Sequence, residues 1–268
     1  MSTAGDAPER EPAVSGDARR TNEARFTQTA AQYAASRIGA RQVQSEALLR
    51  LTAPRSDDLA LDVACGPGAL LAALAPRIRL AIGLDLTMAM LREARSRIGR
   101  GDTVSIVRGA AERLPFPDGT FSLVTCTWAF HHFGAPAEVL GEMVRVSARG
   151  GRVAIGDLVG AEDDAARARQ NAIERLRDPA HVELRSPSGL RALMVAAGLN
   201  PTAMEGGTEP REVGEWCRLS DTPPDVARQV REMLIASQPG DLAGMSPAII
   251  DGQVRFVHRW VIVTADRR

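Results

Sequence analysis

The chain has 268 residues, 44% hydrophobic and only 4% aromatic, with 33 basic and 33 acidic side chains, which suits one large domain or one domain with an insertion and leaves no net charge to gather the phosphates of a nucleic acid. All 33 basic residues are arginine, so Schiff-base enzymes, P-loop phosphate sites and dehydrogenases built on a tyrosine and lysine pair are excluded. Cys65, Cys126 and Cys217 lie far apart with no C-x-x-C pair, no apolar run reaches about 18 residues and no signal pattern opens the chain, so no metal, disulfide framework, membrane span or secretion is expected and a cytoplasmic location fits.

Residues 1 to about 20 mix Ala, Gly, Pro, Ser and charge with almost nothing apolar to bury, and they are expected to form a disordered tail. Phe26, Ala30, Tyr33 and Arg37 then fall on one helical stripe, and Val43, Ala47, Leu48 and Leu51 on a second, so two N-terminal helices are predicted over 21–56. Leu59 to Ala64 is a short apolar run ended by Gly66-Pro67-Gly68, and Leu70, Leu71 and Leu74 continue at helical spacing until Pro76. Leu80 to Leu84 is strand-like and stops at Asp85; Met88, Leu91 and Ile98 share one helix face. Val104 to Val107 makes a third strand, and Phe121 to Thr127 a fourth after the turn Pro117-Asp118-Gly119. Pro136 suits the first turn of a helix carrying Val139, Leu140, Met143 and Val144, and Gly150-Gly151 leads into a fifth strand, Val153 to Gly156.

Strands alternating with helices over 57–160 predict a parallel, doubly wound α/β sheet. Beyond Asp157 the pattern loosens. Ser186-Pro187 reads as an N-cap followed by proline at the first helical position, with Gly198 closing that helix. Leu199 to Met204 forms a sixth strand, which Pro201 places at an edge or at its own start. Arg255 to Thr264 is the last strand of an expected seven, so 161–268 completes the sheet and adds helical cap insertions over 161–185 and 210–250.

The strongest site signal is Leu61 to Gly68, a buried strand running straight into a glycine turn and a helix. Gly66 and Gly68 let a ligand lie against bare backbone where helix amides point outward. Asp85 follows about 20 residues later, the separation at which a carboxylate accepts both hydroxyls of a ribose. NAD and S-adenosylmethionine share that ribose. A dinucleotide fingerprint wants a third glycine where Leu71 stands and serves a pyrophosphate, whereas the shorter Gly-Pro-Gly fits a ligand with no phosphate.

On these residues the chain resembles the class I S-adenosylmethionine-dependent methyltransferases. LDVACGPG at 61–68 looks like their first motif and GLDLTMAML at 83–91 their second; GAAERLPFPDGTFSLV at 109–124, TWAFHHF at 127–133 and MVRVSARGGR at 143–152 follow in order. The nearest group is the ubiquinone and menaquinone methyltransferase-like one that acts on small molecules, which Phe26-x-x-x-Ala30-x-x-Tyr33 and Arg177-Asp178-Pro179-Ala180-His181 also resemble.

The resemblance implies a Rossmann-like fold and S-adenosyl-L-methionine as cofactor. It implies that Asp62 holds the methionine amino end, that Gly66 and Gly68 pass under it, and that Asp85 takes the ribose. Leu86 and Met90 would pack the adenine, Ala111 would offer its amide to the adenine edge, and Thr127 would sit near the methionine carboxylate. Tyr33, the only tyrosine, lies on a helix that either covers the cofactor as a lid or packs on the sheet. Two positions depart from the family. Ala110 stands where many relatives carry Asp or Asn, a loss of roughly 1 kcal/mol, and Ser122 replaces a common Asp.

Alignment alone supplies about 7 to 11 kcal/mol to a methyl displacement, whereas a general base adds a factor of about 10² to 10⁴. A base is therefore optional. His131 and His132 follow the fourth strand, where one could take a proton from the acceptor or simply bond a loop carbonyl. His181 is a further candidate and His258 a structural residue. Ordinary core packing explains the cysteines better than the three thiolates of a metalloid methyltransferase. Trp128, Phe130 and Phe133 either line an apolar acceptor pocket or fill the core, and the same choice holds for Val213, Trp216, Met233 and Leu234 of the cap. The reaction expected is methylation of O, N or C of a small, apolar metabolite, with no nucleic-acid or membrane partner. A non-methylating reaction sped by the fixed sulfonium charge, and a nucleotide-binding oxidoreductase, are the competing classes.

Overall fold

A computed structural model describes residues 13–36, 42–99 and 102–268. Helices α1 (Ala13–Ser36) and α2 (Gln42–Thr52) lead into alternating β1 (Leu59–Val63), α3 (Ala69–Leu74), β2 (Leu80–Asp85), α4 (Met88–Ile98), β3 (Val104–Arg108), β4 (Phe121–Thr127), α5 (Pro136–Val146) and β5 (Ser147–Val159). Then come α6 (Asp164–Arg177), α7 (Pro187–Ala196), β6 (Leu199–Glu212), α8 (Val213–Arg218), α9 (Pro224–Ala236), β7 (Ala248–Ile250) and β8 (Gln253–Arg267).

The sheet order is β3-β2-β1-β4-β5-β8-β6, with β7 added on β8. Strands β1 to β5 are mutually parallel, and β8 runs antiparallel to both β5 and β6. The seven expected strands are present with one short addition. From β1 the chain builds outward to β3 and returns on the other side at β4, so the order reverses between β1 and β4. That reversal opens a crevice at the carboxyl ends of the two strands.

Alternation along β1 feeds two layers. Leu61 and Val63 join Leu140 and Met143 of α5 and Met194 of α7 in one core, while Ala60 joins Leu48, Leu71, Leu74 and Leu91 in the other. Local signals set the helix ends: Ser186 accepts the Gly189 N–H at 3.0 Å, and Asp163 accepts that of Ala166 at 2.7 Å. Ser122 has its own role at the foot of the sheet, where it donates to Asp58 at 2.7 Å and accepts the Leu59 N–H at 3.0 Å.

Three expectations change. Of the expected tail, residues 1–12 lie outside the described residues, as does Arg37 of the first stripe, but 13–20 are the opening turns of α1. Asp17 pairs with Arg20 there, and Asn22 and Arg25 anchor the helix just downstream. Strands β5, β6 and β8 run to 13, 14 and 15 residues, well past their apolar runs. The edge position of β6 tolerates Pro201, where the register shifts. The far ends of β6 and β8 overrun the parallel strands at the carboxyl edge and carry the cap. The 210–250 insertion accordingly starts after β6 and ends in β7.

The cap holds a third core of Ile173, Val213, Trp216, Val230, Leu234 and Phe256. Trp216 packs 4.6 Å from Phe256 and under the Arg177 guanidinium at 4.5 Å. Met233 is exposed. No helix among the described residues is long and apolar enough to cross a membrane. Trp216→Ala should cost about 3 to 5 kcal/mol, read by urea unfolding; a loss below about 1 kcal/mol would mean that the cap does not depend on this core.

Candidate functional site

The crevice is a cleft of about 1200 Å³ including its open mouth, walled by α1, α2 and the loops after β1, β2, β3 and β4. Gly66, on the turn after β1, has a left-handed φ of +52°, and a Cβ there would meet nothing within 4 Å. That conformation aims its N–H at Asp85 Oδ2, 2.9 Å away, and Thr87 N–H donates to Oδ1 at 2.8 Å. Burial lifts the Asp85 carboxyl above its ordinary 3.8, and the Thr87 and Gly66 amides offset part of that shift. The result is a carboxylate pinned by backbone at a wall of the cleft, with lone pairs left for a ligand.

Leu86, Met90, Ala110, Ala111, Thr127 and Tyr33 all reach the cleft, so the tertiary fold brings together most of the residues singled out in the sequence. Asp62 and Gly68 do not line it. Asp62 stands opposite Thr125 in the β1–β4 register and accepts its hydroxyl at 2.8 Å, behind the turn. Gly68, at φ +74°, is a packing glycine: an added Cβ would come within 3.0 Å of Ala94 Cβ and 3.1 Å of Ile98 on α4. Tyr33 and Phe26 belong to a helix that lies over the cleft and packs on α4, where Arg97 donates to the Ala34 carbonyl at 3.0 Å.

The two adjacent histidines part ways. His131 is clamped by Asp157 at the end of β5, through Nδ1 at 2.6 Å and its backbone N–H at 2.7 Å, and does not line the cleft. His132 does. Its Nδ1 lies 2.8 Å from the Ala180 carbonyl, which only accepts, so Nδ1 carries the hydrogen and Nε2 the lone pair. Burial, and then the neighbouring His131, push His132 down to about 3, so it is neutral at pH 7. That ring therefore bonds a loop carbonyl and faces the cleft.

His181 donates Nε2–H to Asn171 at 2.8 Å and lies off the cleft, with burial pushing it down to about 3. His258 bonds Glu174 at 2.8 Å inside the cap. Trp128 and Phe133 reach the cleft, while Phe130 is core. The insertions contribute no cleft wall, because Val213, Trp216 and Leu234 are used up in the cap's own core. The cysteines divide among three places, Cys65 at the turn, Cys126 in β4 and Cys217 in the cap, each thiol raised first by burial. Among the described residues no group of three or more His, Cys, Asp or Glu could hold a metal ion.

Sequence reasoning missed Asn22, Gln44 and Ser45, which sit on the cleft, because a polar residue on an amphipathic helix reads as a solvated face. It also gave no role to Asp157 and Ala180. The quoted Arg177 to His181 segment was the available signal for the latter.

A family model described as a methyltransferase domain matches residues 61–155. The chain is similar to the uncharacterized methyltransferase YcgJ of Bacillus subtilis (strain 168), at 30% identity over 212 residues, 78% of this chain and 84% of the relative. The solved structure of YcgJ superposes with a TM-score of 0.79 at 26% identity, covering 84% of this chain and 98% of that one. A demethylmenaquinone methyltransferase of Clavibacter sepedonicus is 34% identical over 118 residues, 44% of this chain but only 48% of the relative. Geranyl diphosphate methyltransferase, solved in complex with SAM, shares the fold at a TM-score of 0.58 and 18% identity over 84% of this chain and 85% of that one.

Two measurements check this geometry. Gly68→Ala should destabilise the chain by about 1 to 3 kcal/mol more than Gly66→Ala, because only the former meets α4; equal urea midpoints would refute the distinction. The folded protein keeps His132 and His181 neutral down to about pH 3, whereas the unfolded chain takes up those protons near 6.5. Their stability contribution is therefore complete above pH 6.5 and is lost on acidification toward 3, at up to about 1.4 kcal/mol per pH unit for each ring. Unfolding free energies from pH 7 to 4 should show a shallower slope in His181→Asn.

Proposed function

Because the chain belongs to the class I S-adenosylmethionine-dependent methyltransferases, we propose that it transfers the donor's methyl group to an O, N or C atom of a small, apolar acceptor, leaving S-adenosylhomocysteine. The residues present fit the donor. Gly66 leaves open space where any other residue would place a Cβ, and Asp85 offers free lone pairs on a carboxylate already fixed by two amides. Bound S-adenosylmethionine supplies an electrophilic methyl on a positively charged sulfur.

The chain's own residues then divide the work. Asp85 accepts the ribose hydroxyls. Leu86 and Met90, with the backbone at Ala110 and Ala111, form an apolar slot for the adenine, and Thr127 with the Gly66 turn faces the methionyl end. Asp62 acts from behind, tying β1 to β4 through Thr125. Phe26, Trp128 and Phe133 bound the remaining space beside His132 and exclude water from an apolar acceptor.

With a conjugate acid near pH 3, His132 has little proton affinity at neutral pH, below the range where a general base is most effective. It serves as a hydrogen-bond acceptor that orients a hydroxyl or amine, and alignment carries the reaction. The observation that carries the whole reading is the Asp85 carboxylate held at the mouth of the Gly66 turn.

Asp85→Asn, which keeps one acceptor for the turn amides, should weaken S-adenosylhomocysteine binding at least tenfold by calorimetry, measured below the variant's melting temperature. His132→Gln should lower turnover by about tenfold, well short of the full factor for a base, when small apolar alcohols, phenols and amines are screened by mass spectrometry for gain of one methylene. No heat with either donor or demethylated product would sink the reading. A donor-dependent product of unchanged mass would replace methylation by a non-methylating reaction.

A further inference from the structure

The segment Arg177-Asp178-Pro179-Ala180-His181 runs from the last residue of α6 into the turn beyond it and lines no part of the cleft, yet its polar groups converge on the site. Asp178 is fully buried. Its Oδ1 accepts the Ala180 N–H at 3.0 Å, closing a turn that presents the Ala180 carbonyl to His132 Nδ1. Its Oδ2 accepts Nη2 of Arg25, from the middle of α1, at 3.3 Å. Arg177 at 3.3 Å and the Ser220 hydroxyl at 3.4 Å complete its partners.

The same stretch of α1 reaches His132 directly. Asn22 donates Nδ2–H to the His132 carbonyl at 2.8 Å, and the Phe26 ring meets the imidazole edge-on at 5.0 Å. One carboxylate thus holds both the helix over the cleft and the turn that sets the His132 tautomer. A merely structural ion pair would need the two arginines and nothing from the turn.

We propose that Asp178 is a positioning residue that couples docking of α1 over the cleft to the orientation and tautomer of His132. Burial alone would raise the Asp178 carboxyl, but the Arg177 and Arg25 charges and the Ala180 amide outweigh it and hold it below its ordinary value. A buried carboxylate stays only where cations face it. When α1 lifts, Arg25 leaves with it, the carboxylate shifts toward Arg177, and the Ala180 turn relaxes. His132 then loses the carbonyl that keeps its hydrogen on Nδ1, so the acceptor-facing lone pair exists only under a closed helix. Its catalytic meaning rests on the methyl-transfer reading above; the coupling itself does not.

The test uses the full chain without substrate. Nitrogen-15 NMR of histidine-labelled protein reads the His132 tautomer, and hydrogen exchange reads α1. Wild type should show a single Nδ1–H tautomer. Arg25→Gln and Asp178→Asn should each give a mixed tautomer and at least tenfold faster exchange in α1. Gln28→Ala, which removes a different α1 contact, to Asp221 at 2.8 Å, should leave the tautomer unchanged. A folded Arg25→Gln protein with wild-type His132 signals would overturn the proposal, and that variant decides the matter even if Asp178→Asn does not fold. S-adenosylhomocysteine titration of the wild type judges the donor reading separately, so its silence would leave the coupling standing.

Discussion

The hydrogen bond from the Gly66 amide to the Asp85 carboxylate joins the tips of β1 and β2, and the shape of the cleft follows from it. A carboxylate this buried needs donors, and backbone amides supply them without side-chain entropy. Aiming the Gly66 N–H at Asp85 requires a left-handed φ, which favours glycine. The same absence of a Cβ leaves the space that a ligand's backbone-facing edge would occupy. Anchor, turn and opening are therefore one constraint seen from three sides.

The second half of the site is built differently. Where the Gly66 and Asp85 side uses main-chain amides at strand ends, the His132 side depends on partners far apart in the chain: Asp157 for His131, Ala180 for His132, and α1 above both. Two identical side chains, one residue apart, acquire different roles solely from what their Nδ1 atoms face. The long antiparallel β6 and β8 carry the cap, with Trp216 and Phe256 at its centre, while the turn after α6 reaches the segment that follows β4.

Legibility tracked locality. Strands β1, β2 and β4 were readable because parallel strands covered on both faces give nearly continuous apolar runs. The outer half of β6 was not, because its exposed edge alternates and carries Gly206, Gly207 and Pro210, residues that ordinarily break strands. Helix starts at Ser186 and Pro136 were visible because a side-chain cap three residues from its donor, or a proline at the first helical position, is a local signal. The first turns of α1 were hidden, because their anchors at His132 and Asp178 lie over 100 residues downstream.

The order of amino acids alone determined the doubly wound sheet, the edge at which its cleft opens and the turn that joins Gly66 to Asp85, because those depend on short-range periodicity and on a turn that few residues can make. Only tertiary structure decided that Gly68 packs against α4, that Asp62 lies behind the turn, that His132 and not His131 faces the cleft, and that the insertions build their own core instead of a roof. Each of those outcomes depends on which side a side chain faces, and that is set by contacts between segments that the chain brings together only on folding.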